Sequence, residues 1–288
     1  MPTADLHFHS ACSDGKLSII ELAKLIKKSG LKYCSLTDHD TVSGISKLEK
    51  CLQGSGVTVI PGVELTALHQ ENGIHILAYD FDIATVRDVL EERNNVVRKQ
   101  KAEEMERAIN LFREQGLKVS DGLTPDEKRP VSYTLAVDIC KQQENQDIFV
   151  QRHGKILIYE DIYFEYQIPG KPCAVQRSGV SIEWLLNKLK NKVVDFIIAH
   201  PFVQVSVAAV PLTEKSIFSL LDMGLSGVEM YHDKTPNDKI QWLKKIVHEK
   251  KLHYTGGSDF HGHKNDMQLG FYGLDKEIPD FKLSHFRG

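Results

Sequence analysis

The stretch TADLHFHSACSDGKLSIIELAKLIKKSGLKYCSLTDH, residues 3–39, decides the fold class. Residues 3–8 read as a short strand, and a polar turn follows at residues 10–16. Ser18 then opens a helix, with Glu21 three positions later to complete a capping box, and Gly30 closes it. Residues 33–37 make a second strand. Strand, helix and strand in that order form the unit from which α/β folds are built.

The same grammar continues outward. A helical stretch from Ser43 leads to Gly54, and residues 57–61 and 74–79 read as two further strands. In the second half, residues 194–199 form an apolar strand, and Thr213 opens a helix that ends at Gly224. Residues 227–231 are the next strand, and Thr235-Pro236 supplies an N-cap with proline at the first helical position. Residues 253–255 make a last short strand before Gly256-Gly257. About seven strands alternating with helices favour one parallel α/β barrel over separate domains. The middle breaks the rhythm. Residues 86–115 read as one long charged helix, and a polar loop, a helix near 133–142 and an aromatic stretch at 159–166 follow. The expected organisation is a barrel from residues 1–85 and 180–288, with a mainly helical subdomain, residues 86–179, inserted over one mouth.

Composition bounds the function. The 288 residues carry 36 basic and 39 acidic side chains, a formal net charge of -3, which argues against a protein that coats duplex DNA. No apolar run reaches the ~20 residues of a membrane helix. The N-terminal Met-Pro-Thr-Ala-Asp has no basic and apolar leader, and the five cysteines contain no C-x-x-C pair, so a reducing cytoplasm is the expected location.

The chemistry starts at Asp5-Leu6-His7-Phe8-His9. Residues i and i+2 of a strand point the same way, so His7 and His9 can grip one cation between them. Asp14 follows in the next loop; His39 lies where the second strand ends, and Glu64 follows the third. His200 comes after the strand at 194–199, and Asp259 and His261 after the last. His75 stands at the start of its strand, out of line with the rest. In a barrel, side chains at the C-terminal strand ends converge on one mouth. Six histidines and three acids exceed what one zinc with three or four ligands needs, and they suit two or three divalent ions. Imidazole mixed with carboxylate admits Mn, Fe, Zn or Co. The other seven histidines (His69, His153, His232, His248, His253, His263, His285) lack that placement. Phosphoester hydrolysis makes best use of such a cluster.

These residues resemble the PHP family, named for polymerase and histidinol phosphatase. Four signature motifs carry the resemblance: Asp5 to Ser10 with Asp14, Thr37-Asp38-His39, His200-Pro201, and Ser258-Asp259-Phe260-His261-Gly262. The resemblance implies a distorted (β/α)7, TIM-like barrel with a trinuclear centre. It implies one ion on His7, His9, Glu64 and Asp259, a second on Glu64, His75 and His200, and a third on Asp14, His39 and His261. A hydroxide bridging the ions would be the nucleophile, with no catalytic side chain assigned. Gly-Val-Glu-Leu-Thr, Gly-Val-Glu-Met-Tyr and Gly-Ser-Asp-Phe-His-Gly are similar to the stand-alone branch. Its members hydrolyse nucleotide phosphates, including nucleoside 3′,5′-bisphosphates, or trim short RNA from the 5′ end. Two departures stand out: no arginine follows His200-Pro201 within Phe202 to Val205, and an Arg-Pro-His pattern is replaced by Arg129-Pro130-Val131.

Weaker features have competing readings. Arg129 suits a substrate phosphate or a solvated loop. Glu229 suits a group that supports a ligand or accepts a substrate hydroxyl, and Asp40 either orients His39 or caps a helix. Tyr159, Tyr163, Phe164 and Tyr166 suit a stacking face for a base, or, more simply, packing of the insert. The expected activity is a metal-dependent phosphoesterase acting on a small phosphorylated substrate, a nucleotide above all. The alternatives are a 5′→3′ exonuclease on short single-stranded RNA, a non-catalytic barrel that binds a phosphorylated ligand, and a carbon–nitrogen hydrolase.

Overall fold

A computed structural model describes residues 2–70, 72–204, 211–273 and 276–286. The chain divides into two compact units, one of residues 1–92 with 181–288 and one of residues 93–180.

In the first unit, β1 (Ala4–Phe8) is followed by α1 (Ile19–Ser29) and β2 (Tyr33–Leu36). The Ser18–Glu21 capping box is formed, and Gly30 ends α1 at φ 80, a left-handed conformation that glycine adopts without steric cost. Then come α2 (Ile45–Leu52), β3 (Thr58–Val59), β4 (Gly62–His69) and β5 (Asn72–Phe81). A long helix, α3 (Ile83–Glu114), leads out of the unit. After the second unit, α7 (Ile182–Leu189), β6 (Val193–Ile198), α8 (Glu214–Asp222), β7 (Gly227–Tyr231), α9 (Asn237–Lys250) and β8 (His253–Gly256) resume the alternation. A hairpin of β9 (Phe271–Gly273) and β10 (Lys276–Glu277) completes it. Pro236, expected at the first helical position, is instead the N-cap, so α9 begins one residue later than expected.

Strands β1, β2 and β3 form a parallel sheet, and a second sheet has the order β4-β5-β6-β7-β8. The second sheet corrects the expectation of a wholly parallel array, because β5 runs antiparallel to both β4 and β6. The reason lies in the connection. Only two residues separate β4 from β5, and a parallel crossover needs a dozen or more. Single bridges link the two sheets, Phe8 to Phe260 and His39 to Glu64.

The core of this unit is apolar and tightly packed. One cluster gathers Phe8, Leu22, Ile26, Leu36 and Leu48 under α1 and α2, and another gathers Leu6, Ile60, Leu77, Tyr79 and Ile197. The Tyr79 hydroxyl donates to the Leu6 carbonyl at 2.6 Å, tying β5 to β1. Among the described residues no helix is long and apolar enough to cross a membrane.

The second unit is helical. It takes the end of α3 and adds α4 (Val131–Lys141), α5 (Gln143–His153), α6 (Tyr159–Ile162) and a π-helical turn at Tyr163–Gln167. Its core joins Phe112, Leu135, Ile139, Phe149, Ile162 and Tyr166. Within the aromatic stretch, Tyr166 is a core residue while Phe164 is exposed. The Asn145 side chain is buried and accepts from the Lys118 amide, and it donates to the Lys118 and Ile139 carbonyls, fixing the loop before α4 to the start of α5.

Candidate metal centre

All nine sequence-predicted ligands belong to the first unit, and they meet around one carboxylate. Glu64, almost fully buried on β4, has His75 Nδ1 at 2.9 Å and His200 Nε2 at 3.0 Å from Oε1. Its Oε2 has His7 Nε2 at 3.2 Å, His39 Nδ1 at 3.2 Å and His9 Nε2 at 3.3 Å. Asp259 Oδ1 faces the same two β1 imidazoles, at 3.1 Å from His9 Nε2 and 3.4 Å from His7 Nε2. Asp14 completes the set, 3.4 Å from His261 Nε2, 3.7 Å from His39 Nε2 and 3.8 Å from His9 Nδ1.

The topology explains this convergence. His7 and His9 project together from β1, as strand alternation requires. The antiparallel course of β5 resolves the position of His75. His75, the fourth residue of β5, pairs with Thr66 of β4, two residues from Glu64, and so reaches the same site from a strand running the opposite way. Three residues here have left-handed backbone, with φ of 51 at Asp40, 26 at His200 and 49 at Asp259. The backbones of β1 and the turn after β8 run close together: the Asp259 amide donates to the His7 carbonyl at 2.8 Å, and the His9 amide donates to the Phe260 carbonyl at 2.8 Å.

Buried carboxylates and buried hydroxyls brace the ligand strands. Asp5 accepts from the Ser258 hydroxyl at 2.6 Å and from the Gly270 amide at 2.8 Å. Burial pushes its carboxyl up to about 6 against those hydrogen bonds. Asp38 accepts from the Ser10 and Ser13 hydroxyls, each at 2.6 Å, and so holds the loop that carries Asp14. Glu229, fully buried on β7, accepts from the backbone amide of His200 at 2.7 Å and pairs with His7 Nδ1 at 2.9 Å. Asp40 contributes to the scaffold, with its carboxylate accepting from the Thr66 amide at 2.9 Å. Arg129 belongs to the helical unit, where its guanidinium lies 5.5 Å above the Tyr133 ring.

Electrostatics sorts the imidazoles. Burial works against charge on His9, but Asp259 and Glu64 overcome it and raise the ring to about 10. His7 rises well above its ordinary value for the same reason, with Glu229 the leading carboxylate. Burial prevails at His39, which falls to about 4 despite Glu64. It also prevails at His200, which is lowered. Burial opposes ionisation of Glu64 and Asp259, yet the surrounding imidazoles hold both well below the usual carboxylate range.

The donor set fits divalent cations. Ligand bonds of about 2.0–2.2 Å at tetrahedral or octahedral angles put two ligand atoms about 2.8–3.6 Å apart, the range in which most of these separations fall. His7 Nε2, His9 Nδ1 and His39 Nδ1 are buried and lack a hydrogen-bond partner: carboxylates near His7 Nε2 and His39 Nδ1 lie at angles that do not suit hydrogen bonds, and Asp14 is 3.8 Å from His9 Nδ1. Buried polar atoms of that kind are rare unless something else binds them. Three ligand groups fall within the reach of a single ion: His7, His9 and Asp259; His39, Glu64 and His75; and His9, Asp14, His39 and His261. The grouping departs from the sequence expectation, because His9 and His39 each fall within two groups.

One residue of the site escaped the sequence reading. His232 is fully buried directly after β7, with Nε2 3.4 Å from Asp259 Oδ2 and its ring 5.6 Å from that of His200. Its place immediately after the strand at 227–231 is the signal that should have included it. The loop after Pro201, which lacks the expected arginine, continues into residues 205–210, outside the described residues.

Comparison with known proteins bears on this geometry. The PHP domain family model matches residues 5–167. The chain is 26% identical to a 5'-3' exoribonuclease of Haemophilus influenzae over 92% of both chains. It is 23% identical to a 3',5'-nucleoside bisphosphate phosphatase of Chromobacterium violaceum over 93% of both. Its fold is similar to the crystal structure of a metal-dependent phosphoesterase from Bifidobacterium adolescentis, with a TM-score of 0.64, 20% identity, and coverage of 97% of this chain and 94% of that one.

Proposed function

Because the chain belongs to the PHP domain family, we propose that it is a metal-dependent phosphoesterase that hydrolyses a nucleotide or similar small phosphate ester. The observation that carries the reading is Glu64, a single buried carboxylate within 3.3 Å of five imidazoles from four different segments. Such an arrangement is costly unless cations are held there. Ions bound at these residues supply charge that lowers the pKa of water and offsets the negative charge growing on phosphoryl oxygens.

The chain's own residues divide the work. His7, His9 and Asp259 form the deepest ligand group, and Glu64 is placed to share ligands with its neighbours. Glu229 orients His7 through Nδ1 and supports the His200 backbone, the outer arrangement that ligating histidines require. Asp14, His39, His75 and His261 are partly exposed and form the rim where a phosphate would arrive. Four carboxylates (Asp14, Glu64, Glu229 and Asp259) balance two divalent ions. A third ion would leave the site positive toward a phosphate dianion. We therefore favour a trinuclear centre of Mn, Fe or Zn. Arg129 is exposed in the helical unit, with its guanidinium over Tyr133.

The finer architecture belongs to the same proposal. With β3 and β4 read as one interrupted strand, the bridges from Phe8 to Phe260 and from His39 to Glu64 favour a ring of seven, a distorted TIM-like barrel. The five cysteines, all free, suit a reducing cytoplasm.

The test is hydrolysis by Mn-loaded protein of p-nitrophenyl phosphate, mononucleotides and nucleoside 3′,5′-bisphosphates. Turnover that vanishes with chelation and returns with metal is expected. The absence of metal-dependent turnover on every ester would overturn the reading. A 5′→3′ exoribonuclease is the second reading, favoured by the Haemophilus relative. A length series of 5′-phosphorylated oligoribonucleotides separates the two.

A further inference from the structure

Strand β7 supplies no ligand in the proposed scheme, yet its end carries two fully buried ionisable side chains, Glu229 and His232. Glu229 is accounted for by His7 and His200. His232 is not, and its surroundings define what it can do. Its Nδ1 accepts from the Lys234 backbone amide at 3.2 Å, with the Asp233 carboxylate 3.0 Å from the same nitrogen. An amide N–H can only donate, so a neutral ring bound this way carries its hydrogen on Nε2. A charged ring, which Asp233 would favour, carries hydrogen on both nitrogens. In either state Nε2 is a donor, and it faces Asp259 Oδ2 at 3.4 Å.

Asp259 needs such a donor. Its backbone is left-handed, and its carboxylate divides between two tasks, with Oδ1 toward His7 and His9 and Oδ2 toward His232. Without His232, either oxygen could rotate toward the imidazoles, and the carboxylate would lose its fixed plane.

We propose that His232 is a positioning residue for the metal centre, fixing Asp259 so that Oδ1 alone completes the ligand group of His7 and His9. This rests on the phosphoesterase reading above. It reverses the familiar outer arrangement, in which a carboxylate orients a ligating histidine; here a histidine orients a ligating carboxylate. Losing an outer partner of this kind typically weakens metal binding by about 10–100-fold.

The experiment compares the wild-type full chain with His232→Gln and His232→Leu, each stripped of metal and titrated with Mn²⁺. Ion occupancy at each ligand group is read by anomalous scattering from crystals and by total bound metal. Gln places an N–H donor near the former Nε2, so His232→Gln is expected to bind within a few-fold of wild type. His232→Leu is expected to lose about 10–100-fold in affinity at the His7–His9–Asp259 group while the His39–Glu64–His75 group stays occupied. Equal loss at all groups in both variants, together with lowered melting of the metal-free protein, would mean a merely structural role and overturn the proposal. Unchanged binding by His232→Leu would overturn it as well. Failure of the wild type to bind Mn²⁺ would instead overturn the phosphoesterase reading on which it rests.

Discussion

Gly257 offers a test of how tightly the centre depends on its scaffold. A Cβ added there would sit 2.2 Å from His7 Cβ, 2.7 Å from its backbone nitrogen and 2.8 Å from its Cα. The first of these is about 1.2 Å short of the 3.4 Å at which ordinary contact begins. All three atoms lie at the root of a β1 residue, so no side-chain rotation relieves the clash; the strand and the turn must move apart by roughly 1 Å. Overpacking on that scale costs about 1–3 kcal/mol of stability. The larger consequence falls on Asp259 and His7, which flank the clash and stand 3.4 Å apart across it. A misplacement of about 1 Å in a reacting constellation costs on the order of 100-fold in rate. Gly257→Ala is therefore expected to melt a few degrees lower, to lose bound ions at His7, His9 and Asp259, and to lose about two orders of magnitude in phosphoester turnover. Gly54→Ala is the control. That glycine has left-handed backbone, at φ 74, but a Cβ there meets nothing within 4 Å, so only stability should fall. If Gly257→Ala retains full metal content and turnover, the argument that close strand approach sets the ligand geometry is wrong.

Metal uptake should release protons. Carboxylates hold His7 and His9 above their ordinary values in the metal-free chain, against the effect of burial, so near neutral pH these rings carry protons that a cation must displace. His39, at about 4, and His200, lowered, should release none. Calorimetry in buffers of different ionisation enthalpy should find at least two protons released per fully loaded chain, with affinity rising as pH rises; binding that ignores pH between 6 and 8 would contradict this. Tyr79→Phe removes a buried hydroxyl and leaves the Leu6 carbonyl without its donor, at an expected cost of about 1–3 kcal/mol in urea unfolding with the bound-metal count unchanged. Thiol titration of the folded protein should find exposed Cys12 reactive. Buried Cys34 and Cys173, both pushed up by burial, the latter to about 12, should stay silent until unfolding.

Local signals in the sequence were strong where chemistry and periodicity agreed. The Ser18–Glu21 box, the Gly30 stop and the His7–His9 alternation each follow from a short-range rule, and each is present. The direction of β5 was not readable from the apolar run at 74–79, because alternation has no sense of direction. The short gap between β4 and β5 carried that information, and the antiparallel pairing explains why His75, the fourth residue of β5, lies near Glu64. His232 was missed for a different reason. Tyr-His-Asp-Lys reads as a polar loop, and nothing local reveals that Asp259, 27 positions away, lies against it. The helical unit was the least legible. Its interior depends on side chains such as Asn145, whose partners are distant backbone groups rather than a repeating pattern.

The left-handed backbone at His200 and Asp259 has an evolutionary consequence. Non-glycine residues in that conformation cost on the order of 1–3 kcal/mol each, and glycine would remove the cost at either position. A laboratory selection for heat resistance alone would thus favour erasing these two side chains early. Persistence of both residues in a heat-selected lineage would indicate that the population had also been screened, knowingly or not, for what the site does.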